Sequence, residues 1–172
     1  MESFIGSYTD TVRARYLRLH GDDDLCEDAR FVGTDFLRFE QRVTRLLGER
    51  CDGCVPSGCL DGALAMQTAV LYGTVGEHLH AGRLADALDL LDAHARFCVC
   101  WLDDKRPEDV PYPVCAQTLY NAAQLTVNLA ILYEPFLPKT ARKLRAAYGF
   151  GKAWQFSSIP AGTRIMPPPA AT

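Results

Sequence analysis

The sequence predicts an all-α protein, an antiparallel bundle of helices, on three observations. Apolar residues recur at intervals of three and four along most of the chain, and strand-like alternation is nearly absent. Glycine and proline fall mainly between the periodic stretches. A chain of 172 residues with 48% apolar and 23% charged residues suits one compact domain with a substantial core.

The elements follow in order. Thr9 or Asp10 caps a first helix with Val12, Tyr16 and Leu19 on its apolar side, closed by Gly21 and the acidic turn Asp22-Asp23-Asp24. Phe36, Phe39, Val43, Leu46 and Leu47 then form one buried stripe, which Gly48 and the run from Cys51 to Gly58 are expected to break. A helical hairpin turns at Gly82. Its first arm points Leu60, Leu64, Leu71, Val75 and Leu79 inward, and its second Leu84, Leu88, Leu91, Ala95, Cys98 and Leu102. Pro107, Pro111 and Pro113 prevent continuation. A strongly amphipathic helix runs through Cys115, Leu119, Ala122, Leu125, Leu129 and Leu132 to Pro135 and Pro138. Lys139 to Tyr148 makes a short last helix ended by Gly149, and an extended tail holds Pro167-Pro168-Pro169. Short loops between antiparallel helices make a bundle.

Composition bounds the function. The net charge of -3 requires any nucleic-acid contact to be a local patch. The N-terminal residues carry neither the basic-then-apolar pattern of a secretory signal nor an Arg-rich transit composition, and no apolar stretch reaches spanning length. The expectation is a soluble chain without membrane contact, intracellular, with the cytoplasm ahead of an organelle. Seven cysteines, an odd number, point to reduced thiols.

Residues that could carry chemistry do not assemble into a catalytic unit. Cys51-x-x-Cys54 with Cys59 lacks the second pair that zinc requires, and Cys98-x-Cys100 lies within a helix, so no metal is expected. His20, His78, His80 and His94 read as helix-surface or helix-end residues without a nucleophile or paired carboxylate beside them. Asp86, Asp89 and Asp92 read as a solvated face. Gly149-Phe150-Gly151-Lys152 follows a helix, the wrong order for a phosphate loop. No cofactor and no catalytic residue are expected.

The arginines and lysines are more informative. They cluster as Arg13, Arg15 and Arg18, as Arg38, Arg42 and Arg45, and as Lys139, Arg142, Lys143 and Arg145. The guanidinium fork suits phosphates and base edges, although composition alone favours solvated helix faces paired with nearby acids.

Order and spelling add a resemblance. Leu119 to Leu144, with Pro135-Phe136-Leu137-Pro138-Lys139-Thr140-Ala141-Arg142-Lys143-Leu144 at its end, resembles the last long helix of methionyl-tRNA synthetases and the phrase P-F-L-P-x-T-A-x-K-L that follows it. Trp154 and Ile159-Pro160-Ala161-Gly162-Thr163-Arg164-Ile165 are similar to the family's ending. Tyr8 to Leu17 resembles the segment after the KMSKS loop, Asp35 to Arg42 resembles D-L-G-N-L-V-N-R, and Cys51 to Pro56 is similar to F-D-G-K-V-P. On that last match the cysteines replace ordinary loop residues. The likeness covers nearly the whole chain in the family's order.

The resemblance implies an anticodon-binding helical bundle of the class I aminoacyl-tRNA synthetase type. It implies a linker over residues 1–29, the bundle over 30–150 and an extended tail over 151–172. The catalytic domain with its HIGH and KMSKS signatures is not among these residues, so no enzyme activity is expected. The expected function is a non-catalytic tRNA-binding module, for a methionine-type tRNA, working with a separate catalytic synthetase subunit or a larger assembly. The alternative is a degenerate structural or protein-interaction subunit.

Family members read the anticodon with an Asn and an Arg on one helix and a Trp at the end of another. Arg42 falls on that Arg, Arg38 replaces the Asn, and Asp103-Asp104 replaces the family's Pro-Trp, with Trp101 one turn earlier. The expected RNA contacts are therefore Arg42, Arg38, Trp101 and Arg45, with Lys139, Arg142 and Lys143 on phosphates.

Overall fold

The computed structural model describes residues 33–165. The helix expected near residues 9–21, with Arg13, Arg15, Arg18 and His20, and the prolines at 167–169 lie outside them. Among the described residues there are five helices and no strand. They are α1 (Thr34–Cys51), α2 (Gly62–His80), α3 (Leu84–Lys105), α4 (Tyr112–Tyr133) and α5 (Pro138–Tyr148).

The helix α1 begins at Gly33, whose φ of +67° and whose position against Leu137 leave no room for a side chain; an added Cβ would stand 2.7 Å from Leu137 Cδ1. It runs straight through Gly48 and ends at Cys51, where Asp52 turns left-handed. Gly48 is exposed and α-helical, so one glycine does not break the helix. Asp61 caps α2 by accepting from the Ala63 and Leu64 amides, which leaves Leu60 before the helix and 41% exposed, not in the core. Pro113 and Pro138 sit in the first turns of α4 and α5, where the missing N–H removes no helical bond.

The bundle is built around α4. It packs on α1, α2, α3 and α5, and every residue from Leu119 to Tyr133 except the half-buried Tyr120 is buried. The expected amphipathic pattern therefore gives way to a helix enclosed on nearly all sides. Its polar side chains must be paired inside the protein, because an unpaired buried amide costs about 1–3 kcal/mol.

The buried amides Asn121, Gln124 and Asn128 are paired in a ladder that the exposed Gln117 begins. Gln117 Nε2 donates to the Cys59 carbonyl while its Oε1 accepts from the Cys59 amide, at 2.7 and 2.9 Å. Asn121 accepts from the Asp61 amide and donates to the Cys59 carbonyl. Gln124 takes both backbone groups of Ile159, at 2.7 and 3.0 Å. Asn128 does the same for Ser157 and also accepts from the Tyr72 hydroxyl at 2.7 Å. Each amide acts as a stand-in strand residue for a segment that has no sheet to join.

Residues 151–165 thus lie across the bundle as a strap. Trp154 is buried edge-on against Tyr72 and donates its indole N–H to the Tyr72 carbonyl at 2.9 Å. Farther on, the strap pairs with the loop after α1, through Val55 N–H to the Thr163 carbonyl at 2.8 Å and Gly162 N–H to the Val55 carbonyl at 2.7 Å.

The core also absorbs groups expected at the surface. His94 is buried beside the Thr68 hydroxyl, and burial depresses its pKa to about 4, so the ring is neutral. Asp92 accepts a hydrogen bond from the Tyr133 hydroxyl and is half-buried, unlike the exposed Asp86 and Asp89. Arg145 leaves the basic group of α5 for an ion pair with the buried Glu134 at 2.8 Å and lies over the Phe150 ring.

Replacing Asn128 with Ala should cost about 2–4 kcal/mol, because it orphans the Ser157 backbone and the Tyr72 hydroxyl together. Urea unfolding measures this; a loss below about 0.5 kcal/mol would mean that the ladder does not hold the strap.

Candidate functional site

The seven residues expected to touch RNA divide into three groups. Arg42 does not face solvent as an open donor. Its Nε and Nη2 donate to the two oxygens of Glu108 at 2.9 and 3.0 Å, and Nη1 donates to Asp103. The Glu108 hydrogen bond raises the arginine's pKa, and the same bond holds the Glu108 carboxyl below its ordinary value. A guanidinium has five N–H donors in one fork. Here three of them are spent on two acids.

The clamp has a local reason. Arg106 ends α3 in the left-handed region, and the loop from 106 to 110 folds back along α1. Arg50, two turns past Arg42, donates to the Glu108 carbonyl at 3.1 Å and the Val110 carbonyl at 2.9 Å. Arg42 and Arg50 thus seat the loop from one helix face.

Trp101 is not brought to Arg42. It is half-buried and packs against the core. Asp103, which holds Arg42, is two residues farther along α3, about 200° around the helix. Trp101 therefore points from a different side of α3 than Asp103, the residue of that helix that meets Arg42 of α1.

The remaining five are exposed on α1 and α5. Arg38 and Arg45 lie seven residues apart on one face of α1, and Lys139, Arg142 and Lys143 occupy α5. Arg45 and Lys143 belong to the same cleft, of about 530 Å³, which opens between α1 and α5. Arg45 keeps only a loose ion pair with Glu108, at 3.8 Å.

Leu37, Leu144, Ala147 and Tyr148 give the cleft an apolar lining. The Thr44 and Tyr148 hydroxyls meet within it, 2.9 Å apart. Glu40 lines it as well, and among the described residues no hydrogen bond or ion pair reaches its carboxyl. Burial pushes the Glu40 pKa up to about 7. This residue was missed in the sequence, although it stands four residues after Phe36 and three before Val43, on the edge of the core stripe.

Among the described residues, Cys51, Cys98 and Cys115 are buried and Cys54, Cys59 and Cys100 are not, and all six are free thiols. Burial raises Cys51 to about 11 and Cys98 to about 12. Among the described residues no group of three or more His, Cys, Asp or Glu could hold a metal ion, and no helix is long and apolar enough to cross a membrane.

Comparison with known proteins gives relatives of one kind. The chain is 33% identical over 111 residues to the methionine–tRNA ligase of Bacillus mycoides strain KBAB4, covering 62% of this chain and 20% of that protein. It is 32% identical over 112 residues to the methionine–tRNA ligase of Bacillus cereus strain G9842, covering 63% and 20%. No family model matches.

Among solved structures, the Mycobacterium tuberculosis methionyl-tRNA synthetase in complex with methionyl-adenylate superposes with a TM-score of 0.69 at 18% identity, over 80% of this chain and 30% of that one. The apo form of the same enzyme gives 0.67 and 18%. The chain is thus related to methionyl-tRNA synthetases, spans about a fifth of the length of the curated relatives it matches, and has the fold of their helical C-terminal domain.

The cleft makes a stability prediction. Glu40 has a raised pKa in the folded state, so folding takes up protons between about pH 4.5 and 7, and its ionised form opposes folding above that window. The nearby charges on the cleft are Arg45 of α1 and Lys143 of α5, with Tyr148 neutral. Glu40→Gln should stabilise the protein by about 1–2 kcal/mol at pH 8, a figure discounted for partial exposure, and by almost nothing at pH 5. Equal effects at both pH values in urea titrations would rule this out.

Proposed function

We propose that the chain is a non-catalytic tRNA-binding module of the methionyl-tRNA synthetase type that works beside a separate catalytic chain. The carrying observation is that Arg45 and Lys143 border one cleft between α1 and α5, with Arg38 on the same face of α1, in a chain related to methionine–tRNA ligases. Such a rim meets the RNA backbone, where affinity comes from phosphate neutralisation and falls with salt.

In this reading Arg42 is not a base reader in the resting protein. Its fork is occupied by Glu108 and Asp103, and a base edge would have to displace both carboxylates. Trp101 offers at most a partly covered ring. The grip is therefore on shape and phosphate, with anticodon discrimination suppressed by the clamp.

A second reading rests on a different observation. Met66 is 71% exposed and Val70 58% exposed, one turn apart on the outer face of α2. Together with the clamped Arg42 this favours a structural subunit that docks a protein. Its signature would be no tRNA binding under any salt, with partner association lost in Met66→Glu/Val70→Glu.

Fluorescence anisotropy with methionine tRNA separates the readings. Arg45→Glu/Lys143→Glu should weaken binding at least about tenfold at low salt and flatten the salt dependence. Asp103→Asn/Glu108→Gln should strengthen it several-fold, and adding Arg42→Ala should remove that gain. An unchanged affinity in the first double variant would sink the proposed rim. A gain that survives Arg42→Ala would show that only net charge had changed.

A further inference from the structure

A cleft bordered by cations is an expected RNA contact, but a half-buried carboxyl within it is not. Glu40 lines the cleft together with Leu37, Leu144 and Tyr148 and with the cations Arg45 and Lys143, and is left without a hydrogen bond or ion pair among the described residues. A structural role would normally supply a cation or a backbone N–H to such a group. Arg45 and Lys143 border the same cleft without an ion pair to it.

The volume, about 530 Å³, is in the range of small-ligand sites. What fits must be planar and partly apolar for the lining, must bring hydrogen-bond donors to Glu40, and must carry an anion for the flanking cations. A nucleotide has all three. Among base edges, the exocyclic amino groups of cytosine, adenine and guanine offer donors to a carboxyl. Uracil offers one N–H between two carbonyl oxygens, which repel a carboxylate.

We propose that the α1–α5 cleft receives one unstacked nucleobase bearing an exocyclic amino group, accepted by Glu40, with the adjoining phosphate held by Arg45 and Lys143. The proposal rests on the tRNA-binding reading and deepens it, giving an otherwise phosphate-based grip one point of base selection. Burial brings the Glu40 pKa to about 7, so the acceptor-only carboxylate that prefers an amino group is the form present at pH 8, where the test is made. The protonated form could also donate to uracil O4 and would not discriminate.

The test uses CMP and UMP, which differ at the base by amino against carbonyl at C4 and by protonation at N3. Amide NMR shifts of the full chain are followed during titration. The expected result is that CMP moves Leu37, Glu40, Leu144 and Tyr148 with at least about fivefold tighter binding than UMP. Glu40→Ala and Glu40→Gln should remove the preference, whereas Arg45→Ala/Lys143→Ala should weaken both nucleotides alike.

Equal binding of CMP and UMP, shifts centred elsewhere, or a preference that survives Glu40→Ala overturns the proposal. If these occur while tRNA still binds through Arg45 and Lys143, the proposed function stands without a base pocket. If CMP binds in the cleft as described but tRNA does not bind, the nucleotide site stands and the tRNA reading falls.

Discussion

A helix enclosed on nearly all sides cannot carry an unpaired amide, and that constraint organises this molecule. Because α4 lies between α1, α2, α3 and α5, its buried Asn121, Gln124 and Asn128 need partners that neighbouring helical backbones, already bonded to themselves, do not supply, and the exposed Gln117 extends the same ladder. The partners are the backbones of two extended segments. The loop before α2 and the strap of residues 151–165 are held as firmly as strands would be, without a sheet. The positions of Asp61 at the start of α2, of Trp154 against Tyr72 and of the Val55–Thr163 pairing all follow from it.

The same economy governs the charged groups. Arg42 and Arg50 close the loop after α3, and Arg145 pairs inside the core with Glu134. Arginines that composition groups together are therefore not equivalent. On α1 the half-buried Arg42 and Arg50 serve the scaffold, whereas Arg38 and Arg45 are exposed. A net charge of -3 is compatible with a local basic rim, because seven of the 21 acids lie on α3 and the loop after it, away from Arg38, Lys139, Arg142 and Lys143.

The five helices and most of their core residues were legible, because a stripe such as Phe36, Phe39, Val43 and Leu47 admits one period only. The resemblance carried by Pro135 to Leu144 and Ile159 to Ile165 agreed with the relatives found. What stayed hidden depended on contacts between distant residues. Nothing near Arg42 in sequence announces Glu108, 66 residues away, although the acidic pair at Asp103 hinted at a changed surface. The enclosure of α4 was also illegible. Glutamine and asparagine at helical spacing read as a wet face, and only the strap, itself lacking any periodic signal, turns that face inward. Leu60 shows the reverse error, an apolar residue placed inside because its neighbours were, then displaced by the Asp61 cap.

The strap has a kinetic consequence. Helical bundles are rich in local contacts and belong among the fast-folding architectures. Here Gly53 and Val55 bond to Ile165, Gly162 and Thr163, more than a hundred residues onward. Such pairings require a long loop to close before they contribute anything. Gln117 and Asn121 can pair with Cys59 and Asp61 as soon as α4 forms, while Gln124 and Asn128 remain bonded to water until residues 157–159 arrive. Completion of the core is thus deferred until the strap docks, and a helical bundle acquires a long-range closing step more familiar from β-structure.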